Sequence, residues 1–269
     1  MPSYHLFGNK FLIITIYYTK MNYPKPIYIK ETTSTNTSLA EICNNENNLP
    51  DLTCVYSSYQ TEGRGQRGNT WESEPGANLL FSVVVFPTFI EIKKHFLLSQ
   101  ITALALYDVL SEYTENISIK WPNDIYWKNK KLCGTLIEND ISGMSISRSI
   151  SGTGVNLNQE EFKSNAPNPV SLKNITGKEY NPEDILNRIL SQTATYYNLL
   201  KKGEYEEIRK KYFSALFRKE GFHKYKDENG IFYARIIDIE TSGKLILEDT
   251  SGCIRGYMFK EVSYIIDID

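Results

Sequence analysis

The sequence predicts an α+β fold: strands interleaved with amphipathic helices, followed by a small all-β unit. Three observations carry this. Runs rich in β-branched and aromatic residues recur between residues 27 and 157, broken by turn residues. Residues 91–113 hold Leu97, Leu98, Ile101, Ala105, Leu106, Val109 and Leu110 at three- and four-residue steps, the period of a helix with one apolar face. Beyond residue 218, Gly221, Gly230, Gly243, Gly252 and Gly256 punctuate short alternating runs, as in a small barrel or sandwich.

Taken in order, residues 27–33 read as a strand. Ser34, Thr35 and Asn36 then offer helix-capping side chains ahead of Leu39, Ile42 and Cys43 at helical spacing. Residues 44–50 are a polar loop and 53–59 a strand. Residues 61–77 contain four glycines and no apolar period, and long loops of this kind inside a domain are usually functional. Residues 79–86 are a buried strand closed by Pro87, and the helix 91–113 follows. Strands are expected at 117–120, 125–127, 132–138 and 145–157, with a hairpin tip at 140–143. Asn181 before Pro182, Glu183 and Asp184 marks a helix start. That helix carries Ile185, Ile189 and Leu200 to the interruption at Gly203. A further helix, 204–217, turns Tyr205, Ile208, Tyr212 and Phe213 inward, and the tail adds strands at 232–239, 244–248, 254–258 and 262–266. The expected division is 1–22 as an N-terminal extension, 23–218 as the main domain and 219–269 as the small β-domain.

Composition narrows the function. With 269 residues, 41% hydrophobic, the chain suffices for one sizeable core and a small second domain. The net charge of −2 lacks the basic excess of a nucleic-acid binder. Cys43, Cys54, Cys133 and Cys253 form no CxxC pair and no disulfide framework, which fits a reducing cytoplasm. His5, His95 and His223 are too dispersed for a zinc site, and no nucleophile elbow accompanies them. The apolar run Phe11 to Tyr18 is too short to span a bilayer and lacks a signal-peptide cleavage site. Met21 is the expected start, with residues 1–20 an upstream extension or an extra strand.

Three features carry chemistry. In Gly63-Arg64-Gly65-Gln66-Arg67-Gly68, the glycines let the backbone approach a ligand, and exposed amides can cradle phosphate oxygens. Arg64 and Arg67 supply permanently charged forks, and Trp71 downstream can stack on a base. The loop matches neither a Walker loop nor a Rossmann fingerprint; a plain Gly- and Arg-rich surface loop is the alternative. The second feature is Lys120-Trp121-Pro122-Asn123-Asp124 with Lys130-Lys131-Leu132-Cys133-Gly134. Asn123 and Asp124 offer oxygen ligands for Mg²⁺, and Lys131 can set an ammonium on a phosphoryl group; a simple hairpin turn would also account for the pattern. The third is Gly152-Thr153-Gly154-Val155-Asn156, where paired glycines mean close backbone approach or a β-bulge, and Asn156 can read a base edge.

These features, in this order, resemble the biotin protein ligases. The resemblance rests on Ser34-Thr35-Asn36, Gln60, Gly63 to Gly68, Trp71, Pro75 to Leu79, Lys120 to Asp124, Lys131 to Glu138 and Gly152 to Asn156. Phe217 to Lys219, Glu248-Asp249 and Phe259 to Val262 resemble the family's C-terminal domain. The resemblance implies a mixed β-sheet with flanking helices, class II synthetase-like, and an SH3-like C-terminal β-barrel. It implies that Ser34, Thr35, Asn36, Gln60, Gly63, Arg64, Gly134 and Gly152 form a biotin pocket, with Lys131 contacting the biotin carboxylate and the α-phosphate. Gly65, Gln66, Arg67, Gly68, Trp71, Asn123, Lys131 and Asn156 are the implied nucleotide contacts, Asn123 also the metal contact, and Asp124 lies near the incoming acceptor lysine. One departure stands out: several relatives carry arginine where this chain has Gln66, which cannot make the same charge-assisted contact with the adenylate unless Arg67 compensates.

The implied reaction has two steps: ATP and Mg²⁺ activate biotin as biotinyl-adenylate, releasing pyrophosphate, and the acyl group then passes to a lysine. The implied partner is the biotin carboxyl carrier domain of a carboxylase, the enzyme being a cytoplasmic monomer or homodimer with no membrane contact. Rival readings are a lipoate or octanoate ligase of the same superfamily, a biotin-responsive DNA-binding repressor, and an inactive biotin sensor. The few residues ahead of the first motif hold no helical pair, which disfavours DNA binding.

Overall fold

The computed structural model describes residues 22–163 and 168–266, the side chain of Arg67 excepted. The expectation for residues 1–20 lies outside the described residues.

A seven-stranded mixed sheet organises the first two thirds of the chain. Its strands are β1 (Ile27–Thr32), β2 (Thr53–Gln60), β3 (Leu79–Val85), β4 (Ile117–Lys120), β5 (Asp124–Trp127), β6 (Lys130–Ser142) and β7 (Ser145–Val155), in the spatial order β1-β2-β3-β7-β6-β5-β4. Only β1 and β2 run parallel; every other pair in this sheet is antiparallel.

Alternation along β3 divides the two faces. Leu79, Phe81, Val83 and Val85 join the main core under α2 (Phe96–Ser111) and α4 (Pro182–Lys201), while Val84 packs with Leu39, Val55 and Ile150 beneath α1 (Thr35–Asn45). Ser82 points to the α1 face as well. The helix layer therefore closes one face with an apolar core, leaving the other free for polar chemistry. α4 begins as expected, with the Asn181 side chain accepting from the Glu183 N–H at 2.9 Å.

Several expectations need correction. The helix of residues 91–113 begins later: a 3₁₀ turn over Ile92–Lys94 precedes α2. α1 runs through Asn45, into the expected polar loop. Ser34 occupies the N-cap position but makes no side-chain cap bond, because Thr35 and Asn36 are drawn into contacts across the sheet face. β6 extends further than expected, through Ser142, and β7 begins at Ser145 as expected but ends at Val155, so the hairpin turns at Gly143, whose φ of 61° suits glycine, rather than over 140–143. The short helix α3 (Leu172–Thr176) was not foreseen.

After α5 (Tyr205–Ser214), a five-stranded antiparallel sheet forms from β8 (His223–Asp227), β9 (Gly230–Ile239), β10 (Leu245–Asp249), β11 (Ile254–Tyr257) and β12 (Ser263–Tyr264). It packs against the turn between β4 and β5. The Trp121 indole N–H donates to Gly243 O at 3.0 Å, and the Trp121 and Phe259 ring centres lie 5.8 Å apart. Among the described residues, no helix is long and apolar enough to cross a membrane.

Candidate functional site

The α1 face of the sheet holds a cavity of about 540 Å³. Its floor follows from strand register. Ser82, Gly152 and Leu136 stand side by side on β3, β7 and β6, and Leu80, Gly154 and Gly134 form the next row. Directly paired residues share a face, so glycines at 134, 152 and 154 strip the floor of side chains. The neighbours use that space. A Cβ on Gly152 would lie 2.1 Å from Asn36 Oδ1, and one on Gly154 2.3 Å from Trp71 Cε2. A Cβ on Gly134 would lie 2.8 Å from Trp71 Cζ3 and 2.9 Å from Lys131 Cε.

One end of the cavity is a buried polar cluster. Gln60 Oε1 accepts from the Thr35 N–H at 2.7 Å and from its hydroxyl at 3.0 Å. The Ser82 hydroxyl oxygen lies 2.8 Å from Thr35 Oγ1 and 2.6 Å from Asn36 Oδ1. Asn36 Nδ2 donates to Glu138 Oε2 at 2.7 Å, and the same oxygen takes the Arg64 guanidinium at 3.0 Å. Arg64 is thus tethered from the glycine loop to the sheet.

The loop folds back on itself: Trp71 N–H donates to Gly63 O at 2.8 Å and Gly65 N–H to Asn69 O at 2.7 Å. Gln66 to Gly68 form a 3₁₀ turn. Trp71 forms the wall above the glycine row, with the Lys131 ammonium 5.8 Å from its ring centre. Lys131 Nζ donates to Asp124 Oδ2 at 2.8 Å, both side chains about three-quarters buried. Asn156 Nδ2 donates to Val170 O at 3.1 Å. Trp71 Nε1 and Asn156 Oδ1 are buried without a partner among the described residues, leaving one donor and one acceptor for a ligand to complete.

The cavity gathers Ser34, Thr35, Asn36, Gln60, Arg64, Gly65, Gln66, Gly68, Trp71, Asn123, Asp124, Lys131, Gly134, Gly152 and Asn156, all singled out from sequence. Gly63 is buried behind the wall, where a Cβ would meet Trp71 O at 2.6 Å. Arg67 lies in the 3₁₀ turn, its side chain outside the described atoms. Asn123 is buried beside Asp124. Among the described residues no three His, Cys, Asp or Glu side chains cluster for a metal, so the oxygen donors here suit an ion that brings phosphate ligands with it.

Sequence reasoning left several residues without a role in the site, among them Lys120, Phe259 and Lys260, which it quoted only as parts of motifs. Lys120, Tyr126, Phe162, Phe259 and Lys260 also line the cavity, and Lys260 Nζ reaches Gln66 O at 3.4 Å. Behind the Trp71 wall, buried Gln159 accepts from Asn78 Nδ2 at 2.6 Å and from the Glu74 N–H at 3.1 Å. That amide pair fastens the strand after Trp71 to the segment after Asn156. Its partners are 81 residues apart, and no spacing rule links them.

A cleft with paired cations near a glycine loop, and aromatic and amide groups beside them, suits a ligand that joins an anion to a flat ring. Its mixed sheet is that of the biotin and lipoate ligases. The model of the biotin/lipoate A/B protein ligase family matches residues 28–156. The biotin–[acetyl-CoA-carboxylase] ligase of Paracoccus denitrificans is 30% identical over 74% of this chain and 85% of its own. The bifunctional ligase/repressor BirA of Bacillus subtilis is 28% identical over 86% of this chain and 71% of its own. A biotin protein ligase from Aquifex aeolicus, solved with biotin and ATP, superposes with a TM-score of 0.75 at 27% identity, covering 91% of this chain and 100% of that one. The chain belongs to the biotin protein ligases.

Proposed function

We propose that this protein activates biotin with ATP to biotinyl-adenylate and transfers the biotinyl group to a lysine of a biotin carboxyl carrier domain. The observation that carries this is the Lys131–Asp124 pair at 2.8 Å, set between the Trp71 wall and the glycine floor. In this reading the Thr35–Gln60–Ser82–Asn36 cluster takes the polar head of biotin, and Trp71 and Asn156 take adenine. Gly65, Gln66 and Gly68 line the nucleotide side, and Arg64, with Arg67 by resemblance, contributes charge. The units 23–218 and 219–269 are read as catalytic and C-terminal domains. Four free cysteines, two of them buried, accord with work in a reducing cytoplasm.

In the first step a biotin carboxylate oxygen attacks the α-phosphorus and pyrophosphate leaves. Anion meets polyanion, so the site must supply positive charge; Lys131 moves from Asp124 to the reacting groups and neutralises it. Mg²⁺ held by Asn123 and Asp124 oxygens would supply further charge neutralisation. In the second step the neutral acceptor amine attacks the carbonyl carbon of the mixed anhydride and AMP leaves. Asp124, released from Lys131, orients that amine or takes its proton.

The test uses ATP labelled so that AMP with pyrophosphate is told from ADP with phosphate, comparing wild type with Lys131→Ala. The expected result is biotin-dependent AMP and pyrophosphate, biotin on a carrier lysine, and a loss of about 10²–10³-fold in the variant, the scale of one lost oxyanion donor. Turnover with lipoate or octanoate instead of biotin would move the protein to the sister activity. Tight biotin binding with no turnover would make it a sensor.

A further inference from the structure

Lys120 ends β4 and lines the same cavity as Asp124, Tyr126 and Lys131. It stands opposite Asp124 in the β4–β5 register, so the two side chains leave the same face of the sheet. Its ammonium lies 5.1 Å from the ring centre of Tyr126 and 5.3 Å from that of Tyr264, which belongs to the C-terminal sheet. Among the described residues it has no hydrogen-bond or ion-pair partner: its contacts are the two rings. Two other cavity cations differ in this respect, Arg64 being paired with Glu138 and Lys131 with Asp124.

A cation drawn out of water with no carboxylate in ion-pair contact is costly unless an anion completes its surroundings. Burial pushes the Lys120 ammonium below the ordinary lysine range; Asp124 opposes that, and Lys131 and Arg218 add to it. Strand order says which anion would arrive. The polar cluster sits over β3 and β7, Lys131 opens β6, and Lys120 lies beyond β5 at the far edge. With strands about 4.8 Å apart, a ligand whose acid head lies over β7 and whose reacting phosphate meets Lys131 reaches Lys120 with the phosphates further out.

Resting on the proposed adenylation, we propose that Lys120 binds the β- and γ-phosphates of ATP and takes up charge on pyrophosphate as it leaves. The biotin carboxylate oxygen forms the new bond to the α-phosphorus, the bond from the α-phosphorus to the α–β bridging oxygen breaks, and the electron pair departs on that oxygen. The Lys120 ammonium donates hydrogen bonds to the departing group and keeps its proton. The rings of Tyr126 and Tyr264 hold the ammonium in position before ATP arrives, which ties the C-terminal sheet to the first step only.

The experiment separates the half-reactions. Biotin-dependent exchange of labelled pyrophosphate into ATP reads the first step, and transfer from preformed biotinyl-adenylate to a carrier domain reads the second. Lys120→Met should lower exchange about 100-fold, leave biotin affinity and transfer unchanged, and weaken inhibition by added pyrophosphate. Lys120→Arg, which keeps the charge, should retain most of the exchange. Equal losses in both half-reactions, or full exchange in Lys120→Met, would overturn the proposal. Should Lys120→Met fail to fold, Lys120→Gln decides by product inhibition. Weaker inhibition by pyrophosphate with unchanged inhibition by AMP supports the role, and parallel weakening refutes it. Wild-type protein without exchange would defeat the adenylation reading itself, whereas wild-type exchange indifferent to Lys120 defeats this inference alone.

Discussion

Gly154→Ala adds one methyl group to the cavity floor, and the structure sets its effect. The new Cβ would lie 2.3 Å from Trp71 Cε2, 2.5 Å from Nε1 and 2.6 Å from Cζ2, whereas ordinary contact begins at 3.4 Å. Three atoms of one rigid ring are struck together, so the ring must withdraw by about 1 Å. Gly154 sits in a regular strand without positive φ, so the backbone itself accepts alanine. The damage therefore falls on the Trp71 wall, which is proposed to take adenine. Misplacing a positioning group by about 1 Å costs on the order of 100-fold in rate. The polar cluster lies over the neighbouring row at Gly152, and biotin affinity should hold. Steady-state kinetics should show kcat/KM for ATP down by about 100-fold, while calorimetric biotin binding and circular dichroism match wild type. Unchanged ATP kinetics would refute the assignment of Trp71 to the nucleotide. Loss of biotin binding in step with ATP would refute the separation of the two rows.

Two further predictions follow from particular residues. Gln66→Arg places a permanent cation in the glycine loop, and release of biotinyl-adenylate in the absence of acceptor should fall; equal release from both proteins would show that position 66 does not govern retention. In the C-terminal sheet, Asp249 accepts from the Ser251 hydroxyl at 2.6 Å, from two backbone N–H groups and from Arg255 at 2.7 Å, and these bonds hold its carboxyl well below the usual range. A folded pKa below the unfolded one adds stability that is complete above about pH 4 and is lost as pH falls through the depressed folded value. Asp249→Asn should therefore flatten the acid dependence of thermal unfolding below about pH 4, with an unaltered acid limb as the refuting result.

The site was legible where its chemistry is local. Three glycines in six residues point to a backbone that can approach a ligand, and Gly152 with Gly154 point to close approach or a bulge, which the register resolves as a floor without side chains. Strand β3 was legible because seven consecutive buried residues leave no other reading. What the sequence hid is pairing at a distance. Glu138 holds Arg64 across 74 residues, and Lys260 reaches Gln66 across 194, contacts that depend on register and on the packing of the second sheet. Strand β8 escaped notice because His-Lys-Tyr-Lys-Asp buries only Tyr225, too little alternation to read. Thr35 and Asn36 look like capping residues by type, and only the strand beneath, with Ser82 on its polar face, turns them into cavity wall.

In the proposed two-step reaction, the charge arrangement lets one cavity serve steps with opposite needs. Adenylation needs positive charge against two anions; aminolysis needs an acceptor for an amine. In the unliganded site two of the cavity cations are matched by carboxylates, Lys131 by Asp124 and Arg64 by Glu138. The Arg64–Glu138 pair is nearly half exposed and contributes only about 0–1 kcal/mol, and both pairs line the cavity, where an incoming anion reaches them. In that proposal, phosphate and carboxylate draw the cations away and leave Asp124 without Lys131 beside the new acyl phosphate. Lys131 covers Asp124 until the anions arrive, and once Lys131 has moved to them the incoming amine meets a carboxylate free to orient it or take its proton. Exchange of partners, rather than a change in fold, thus converts the site from one task to the next.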